Sequence, residues 1–482
     1  MKKVKNKKRK NLILKIVGVL SLILYIVFSI LLLILDMLPI KYLSIFLIAF
    51  TLLYLVFISF IFFKKIKKKI KVVAVVFLTI FGLLFGIGIK YLSDTINFMN
   101  VINNEILQKE IYYVMTLETS EVDNIKDLKN KTIGIYNSVN SEHAFDKLKE
   151  EIPVKNIEYK DVVEMFEDLQ NNKISAVLIN ESIKTLLSSE LSNMELSLKE
   201  IYDLSIPIEK EDIVKVVDIT KKPFNVYIAG GDAFGSINNV TNTDVNMVVT
   251  VNPIERKILL TSIPRDYYVN LPSFGTDAYD KLTHAGYYGI EESVKSIETL
   301  LDIDINYYVK VNFSTIVGVI DAIGGIDVYS DFQFTTHNDS ETMYYKFFVG
   351  NNHLNGEESL AFARERHSFI DGDIQRVKNQ QKVIEAIINK ATSSTAIITN
   401  FSQILDSVSE SLTTNMDTKN MIKFVKMQLN DMRGWNIESI NLVGANLYTE
   451  KTYTFYGTNL YVMQQDPESV QMAKDKISEY MR

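Results

Sequence analysis

Apolar residues gather in three unbroken runs near the start of the chain: Asn11 to Leu35, Tyr42 to Phe63 and Val72 to Ile89. Each is apolar on every face and close to the ~20 residues that carry a helix across a bilayer. The length of the first run, and two more at once behind it, argue against a cleaved export signal. Lysine placement orients the runs. The leader KKVKNKKRK and the second connection, Lys64 to Lys71, are strongly basic, whereas the first connection, around Asp36 to Lys41, is nearly neutral. Basic segments stay in the cytoplasm, so three crossings put everything after Tyr91 outside. Residues 1–94 therefore predict a multi-pass anchor in the cell membrane, with the later domains extracytoplasmic.

From about Thr95 the pattern changes to that of a soluble α/β segment. KTIGIY (Lys131 to Tyr136) and ISAVLI (Ile174 to Ile179) are short continuous apolar runs, as buried strands require. SEHAFDKLKEE and DVVEMFEDLQNNK repeat at helical spacing between them. Alternating strands and helices predict a small parallel sheet, an accessory α/β domain over residues 95–222. Pro223 opens a second soluble domain, residues 223–450. Its strands are expected at Phe224 to Ala229, Asn246 to Val251, Lys257 to Ile263 and Tyr307 to Phe313, with a helix from Ile290 to Leu301. Trp435 to Tyr448 is expected to return as a strand, and residues 451–482 read as a polar helical tail.

The chain's chemistry concentrates between Ser359 and Gln381, SLAFARERHSFIDGDIQRVKNQQ. Arginine suits phosphate because its planar fork donates paired hydrogen bonds and never loses its charge. Arg364 and Arg366, two apart, face one side of an extended chain. Asp371-Gly372-Asp373 reads as a turn and N-cap, and a helix is expected from Ile374 to about Lys390. On it Arg376 and Gln380 stack four apart, in line with Val383 and Ile387, while Ile374, Val377, Ile384 and Ile388 form a docking stripe. Such a face suits a ligand with a phosphate head and an apolar tail, or a core helix with a solvated first turn. Elsewhere Asp232, Asp244 and the Pro264-Arg265-Asp266 turn fall at strand ends, where α/β sheets place their ligands. Two carboxylates on adjacent loops are enough for Mg²⁺. Lys281 and His284 lie in a glycine-interrupted loop, and His143 reads as a surface helix residue. The net charge of −6 gives no reason to expect nucleic-acid binding, and with no cysteine there is no disulfide, zinc-thiolate site or thiol nucleophile.

These motifs carry a resemblance. GGD, TD before a strand, KILLTSIPRD, KLTHAGYYG, DAIGGIDV, the RER triplet and DGDxQRxxNQQ occur in that order from Phe224 to about Tyr448. This stretch resembles the LytR-CpsA-Psr family, and the whole layout is most like its capsule-biosynthesis (CpsA-type) branch. VDNIKDLKNKTIGIY and YKDVVEMFEDLQNNKISAVLIN loosely resemble one lobe of an extracytoplasmic solute-binding protein. The family resemblance implies an α/β/α sandwich holding a lipid tail in an apolar pocket. It implies a membrane-anchored phosphotransferase that moves a glycopolymer from a polyprenyl-pyrophosphate carrier to peptidoglycan, with Mg²⁺ or Mn²⁺. It further implies that Asp232 and Asp244 hold the metal and that Arg265, Arg364, Arg366, Arg376 and Gln380 hold the pyrophosphate. Asn242 stands where many members carry an arginine, which implies either a weaker pyrophosphate grip on that side or compensation by Lys281; Phe234 replaces another arginine. Asp266 and Asp373 are candidate proton acceptors. A pyrophosphatase, or a non-catalytic envelope sensor, stays open beside the transferase.

Overall fold

A computed structural model of the chain describes residues 2–63, 65–103, 109–137, 140–181, 183–184, 187, 196–207, 213–231, 243–336, 344–393, 403–404, 407 and 412–482. It divides into two compact units, 1–104 with 397–406 and 417–433, and 105–396 with 407–416 and 434–482.

The first unit holds helices α1 (Lys2–Leu35), α2 (Ile40–Phe62) and α3 (Lys68–Asn103). All three are long and apolar enough to cross a membrane. Their seam is aromatic and hydroxylated: the rings of Tyr25 and Tyr54 stack at 4.8 Å. The Tyr25 hydroxyl lies 2.7 Å from Thr51 Oγ1, and that of Tyr54 2.7 Å from Ser21 Oγ. Such pairs satisfy polar groups where no water reaches. The helix Thr418–Asp431 belongs to this unit too, and Lys426 Nζ lies 2.7 Å from Asp36 Oδ1 in the first connection.

The second unit begins with the accessory lobe: strands β1 (Lys109–Leu117), β2 (Thr132–Tyr136), β3 (Lys155–Tyr159), β4 (Ala176–Asn180) and β5 (Leu198–Pro207), with α4 (Ser141–Glu151) and α5 (Val162–Gln170). The sheet runs β3-β2-β4-β1-β5. It is mixed, not parallel throughout: β2 is parallel to β3 and β4, whereas β1 is antiparallel to β4 and β5. The antiparallel edge was illegible because YYVMTL lacks a clear polar alternation. The helices lie on opposite faces. Ala144, Phe145 and Leu148 of α4 pack on Ile133, Ile135 and Leu178. Val162, Met165 and Phe166 of α5 pack on Tyr136, Val177 and Ile179, and that core also takes in Tyr287, Phe455 and Leu460 from later in the chain.

The following domain is built on β6 (Phe224–Gly231), β7 (Val245–Asn252), β8 (Lys257–Ile263), the ribbon β9 (Tyr268–Asn270) and β10 (Tyr279–Lys281), then α6 (Ile290–Leu301), β11 (Tyr307–Asn312) and α7 (Phe313–Ala322). Next come β12 (Ile326–Ser330), β13 (Phe334–Thr335), β14 (Lys346–Phe347), β15 (Gly350–Leu354), α8 (Gly356–Arg364) and α9 (Gly372–Ser393). The chain closes with β16 (Leu412–Thr414), β17 (Asn436–Asn441), β18 (Gly444–Thr449), β19 (Leu460–Gln465) and α10 (Pro467–Tyr480). The main sheet runs β16-β11-β6-β7-β8-β17. On one face Val294, Ile297 and Leu301 of α6 and Ala473 and Ile477 of α10 bury Tyr227, Val248 and Leu259. Across the sheet Gln381 of α9 reaches Ser262, so α9 packs on the opposite face, an α/β/α sandwich. Residues 451–482, set apart in sequence as a polar tail, are thus the last hairpin strand and a core helix; only the buried stripe of Ala473, Ile477 and Tyr480 signals it.

Candidate active site

Six of the residues singled out in sequence meet at one cavity of about 490 Å³: Asp244, Arg265, Arg364, Arg366, Arg376 and Gln380 all line it. Local structure explains each placement. Arg364 ends α8, whose first turn is fixed by an Asn355–Glu358 capping box. Glu365 follows in extended backbone. It is 5% exposed, with Oε1 accepting the Ser368 N–H, so the charged neighbours on either side turn together toward the cavity. The Arg364 guanidinium sits 4.7 Å over the ring of Phe313, at the start of α7. A turn then brings the chain back, with Phe369 N–H donating to Arg366 O at 3.2 Å. A Cβ on Gly372 would strike that same Arg366 oxygen. Glycine here lets α9 start close enough for Arg376 and Gln380 to face the two earlier arginines.

On the sheet side, Asp244 precedes β7, and Arg265 follows β8. Arg265 Nη1 donates to Asp244 Oδ1 at 2.7 Å, and its Nε lies 3.5 Å from Asp266 Oδ2. Asp266 Oδ1 is in turn 3.5 Å from Lys281 Nζ. Neither Asp266 nor Lys281 lines the cavity. Lys281 is 6% exposed and stands behind Arg265, so it reaches the site through Asp266. His284 is 1% exposed against Asp280 and does not line the cavity either. Asp373 is in the first turn of α9 and its side chain lies outside the described residues, as do Asp232, Phe234 and Asn242. His143 is an exposed residue of α4.

The rest of the cavity wall is mixed: Phe313, Ile316, Leu360, Val383 and Ile384 give it apolar surface, and Thr336, Tyr345, Glu357, Glu365 and His367 also line it. Val383 lies on the face expected from the Arg376–Gln380 stack. Phe313, Ile316 and Leu360 were not singled out in sequence. Their signal was spacing: Leu360 lies one helical turn before Arg364, and Phe313 and Ile316 are three apart on one helix. The docking stripe of α9 is also different. Ile374 is 51% exposed, and the helix is held instead by Asn379 and Gln381 beside Val383 and Ala386. Gln381 Nε2 donates to Ser262 Oγ (3.0 Å) and to Ile440 O (2.8 Å). Asn379 Nδ2 donates to Phe362 O at 3.2 Å.

Magnesium takes one or two carboxylates together with phosphate oxygens and waters. Asp244 is such a donor on the cavity wall, although among the described residues no group of three or more His, Cys, Asp or Glu is placed to hold an ion.

The chain is 30% identical over 255 residues to the polyisoprenyl-teichoic acid–peptidoglycan teichoic acid transferase TagU of Bacillus mycoides (strain KBAB4), covering 52% of this chain and 80% of that one. It is 32% identical over 247 residues to the similarly named TagV of Bacillus subtilis (strain 168), covering 50% and 62%. The crystal structure of B. subtilis TagV matches with 29% identity and a TM-score of 0.45, over 54% of this chain and 98% of that one. The LytR_cpsA_psr family model matches residues 192–471, more than half of the sequence, and the chain belongs to that family.

Proposed function

We propose that this protein is a membrane-anchored transferase that moves a glycopolymer from a polyprenyl-pyrophosphate carrier to peptidoglycan on the outer face of the cell membrane. The observation that carries the reading is a cavity that offers both arginines and apolar surface. Arg265, Arg364, Arg366, Arg376 and Gln380 line it together with Phe313, Ile316, Leu360, Val383 and Ile384. Arginines grip the pyrophosphate, whose charge builds on the leaving phosphate, and positioning with charge neutralisation is most of what phosphoryl transfer requires. The apolar surface takes the first isoprene units. The transferase names of the TagU and TagV relatives support the same class of donor and acceptor.

In the reaction a peptidoglycan hydroxyl attacks the sugar-linked phosphorus. The bond between the two phosphates breaks, and polyprenyl phosphate leaves. Asp266 is taken up by Arg265 and Lys281, so it acts as a brace, and the role of proton acceptor passes to Asp373. Asp244 with Asp232 would hold Mg²⁺ or Mn²⁺, which would supply further charge neutralisation. The outer location rests on the lysine asymmetry of the anchor. It is supported by the Lys426–Asp36 ion pair, which joins the nearly neutral first connection to chain that follows the anchor.

The test supplies purified full-length protein in detergent with lipid-linked polymer and peptidoglycan fragments. A covalent polymer–peptidoglycan adduct is expected. Release of polyprenyl phosphate and free polymer alone would make the protein a pyrophosphatase. Binding without turnover, with metal present, would make it a sensor.

A further inference from the structure

The accessory lobe meets the transfer domain at a polar seam that the reaction above leaves unused. At its centre is Asp280, fully buried in β10. Oδ1 accepts the Lys281 N–H at 2.7 Å and stands 2.6 Å from His284 Nδ1. Oδ2 accepts the Thr454 N–H at 2.7 Å. Burial alone would raise this carboxyl, but His284 and the Thr454 bonds outweigh it and hold its pKa below the ordinary aspartate value. Thr454 Oγ1 lies 2.9 Å from the Tyr288 hydroxyl, which lies 3.3 Å from the hydroxyl of Tyr136, at the end of β2 in the lobe. The His284 ring packs 5.5 Å from Phe455 and 5.6 Å from Tyr287, both members of the α5-side core of the lobe.

The other side of this knot is the pyrophosphate grip. Thr283 N–H donates to the carbonyl of Arg265 at 2.8 Å, and Leu282 N–H to that of Tyr267 at 2.9 Å. Lys281 braces Asp266, and Asp266 braces Arg265. The turn from Asp280 to His284 therefore holds Arg265 by its backbone and by its side-chain chain of charges together. A buried carboxylate held by three hydrogen bonds is costly to distort, so it transmits position rather than yielding.

We propose that Asp280 and His284 are positioning residues for the pyrophosphate grip, and that the accessory lobe, through Tyr136 and its apolar core, is part of the frame that fixes them. The lobe is then a structural component of the active site, not a separate docking module. This rests on the reading of the cavity as a pyrophosphate site.

The test uses the full-length protein in detergent and measures binding of geranylgeranyl pyrophosphate, with geranylgeraniol as the headless control. His284→Gln should weaken pyrophosphate binding about tenfold, the usual scale of coupling within one network. It should leave geranylgeraniol binding unchanged, which general damage to the fold would not. In a Lys281→Met background the same substitution should cost less than it does in the wild type, because only the backbone route through Thr283 is left to lose. Tyr288→Phe removes a single hydroxyl at the seam and should act in the same direction, about twofold, if His284→Gln fails to fold. Unchanged pyrophosphate binding in both variants, equal losses for the alcohol, or losses that add in full to that of Lys281→Met would overturn the positioning role. A wild-type protein that binds geranylgeraniol but gains nothing from the pyrophosphate would overturn the cavity reading itself, and the positioning role with it.

Discussion

Replacement of Arg366 separates catalysis from folding more cleanly than any other change at the cavity. Its side chain is exposed on the cavity wall, and its Nε makes one long contact, 3.4 Å, to His367 Nε2. An exposed side chain with so weak a partner contributes within about 0.5 kcal/mol to stability. If it donates to the pyrophosphate in the transition state, its loss removes a donor aimed at developing charge. That is worth ~2.7–4 kcal/mol, or roughly 100- to 1,000-fold in rate. Arg366→Ala should therefore transfer polymer to peptidoglycan fragments at 1% of the wild-type rate or less, with melting temperature unchanged. Arg366→Lys keeps the charge and loses the fork, so its rate should fall between the two. The assay is appearance of the covalent adduct over time at saturating lipid-linked donor. A rate within threefold of wild type for Arg366→Ala, in a folded protein, would refute the assignment of this arginine to the grip.

Val383→Phe places a ring among the apolar residues of the cavity wall; binding of a long polyprenyl pyrophosphate should fall more than about tenfold while that of inorganic pyrophosphate holds, as calorimetry will show. Gln381→Leu leaves Ser262 and the Ile440 carbonyl without their donor, and urea unfolding should report a loss of ~1–3 kcal/mol. Burial raises the Glu110 carboxyl above its ordinary value, against the donors Asn140 and Asn180. The folded chain thus holds more protons than the unfolded one just above pH 4.5, and this group's contribution to stability falls as pH rises. Glu110→Gln removes that slope, so its melting temperature relative to wild type should climb between pH 4.5 and 7. Finally, the sequence has no cysteine, so single substitutions report topology directly. Asp36→Cys should react with an impermeant maleimide on intact cells and Lys67→Cys should not.

Much of this architecture was legible because period and burial agreed. Lys257–Ile263 and Ile290–Leu301 fall where apolar runs and amphipathic spacing put them. The arginine cluster was legible because phosphate chemistry restricts the side chains that suit it, and because spacings of two and four set which of them share a face. What sequence hid depends on long-range contacts. Lys281 and His284 sit in one motif, yet one braces Asp266 and the other seals a buried carboxylate, a distinction set by Thr454 and Tyr288 from elsewhere in the chain. The α9 stripe misled for a related reason. An amide that finds a buried carbonyl can dock a helix as well as an isoleucine can, and Gln381 finds Ile440 O only once β17 is in place.

The position of β17 also bears on how the chain folds. It lies parallel to β8, Asn436 opposite Lys257, and Asn252 at the end of β7 donates to the carbonyl of Tyr480 in α10. A sheet whose outer strand and covering helix come from so far downstream has high contact order and stays unfinished while the chain is being synthesised. Emerging from the ribosome, the segment through β8 has neither its edge partner nor its lid. The edge strand and the covering helix are therefore the last parts of this sheet to be supplied.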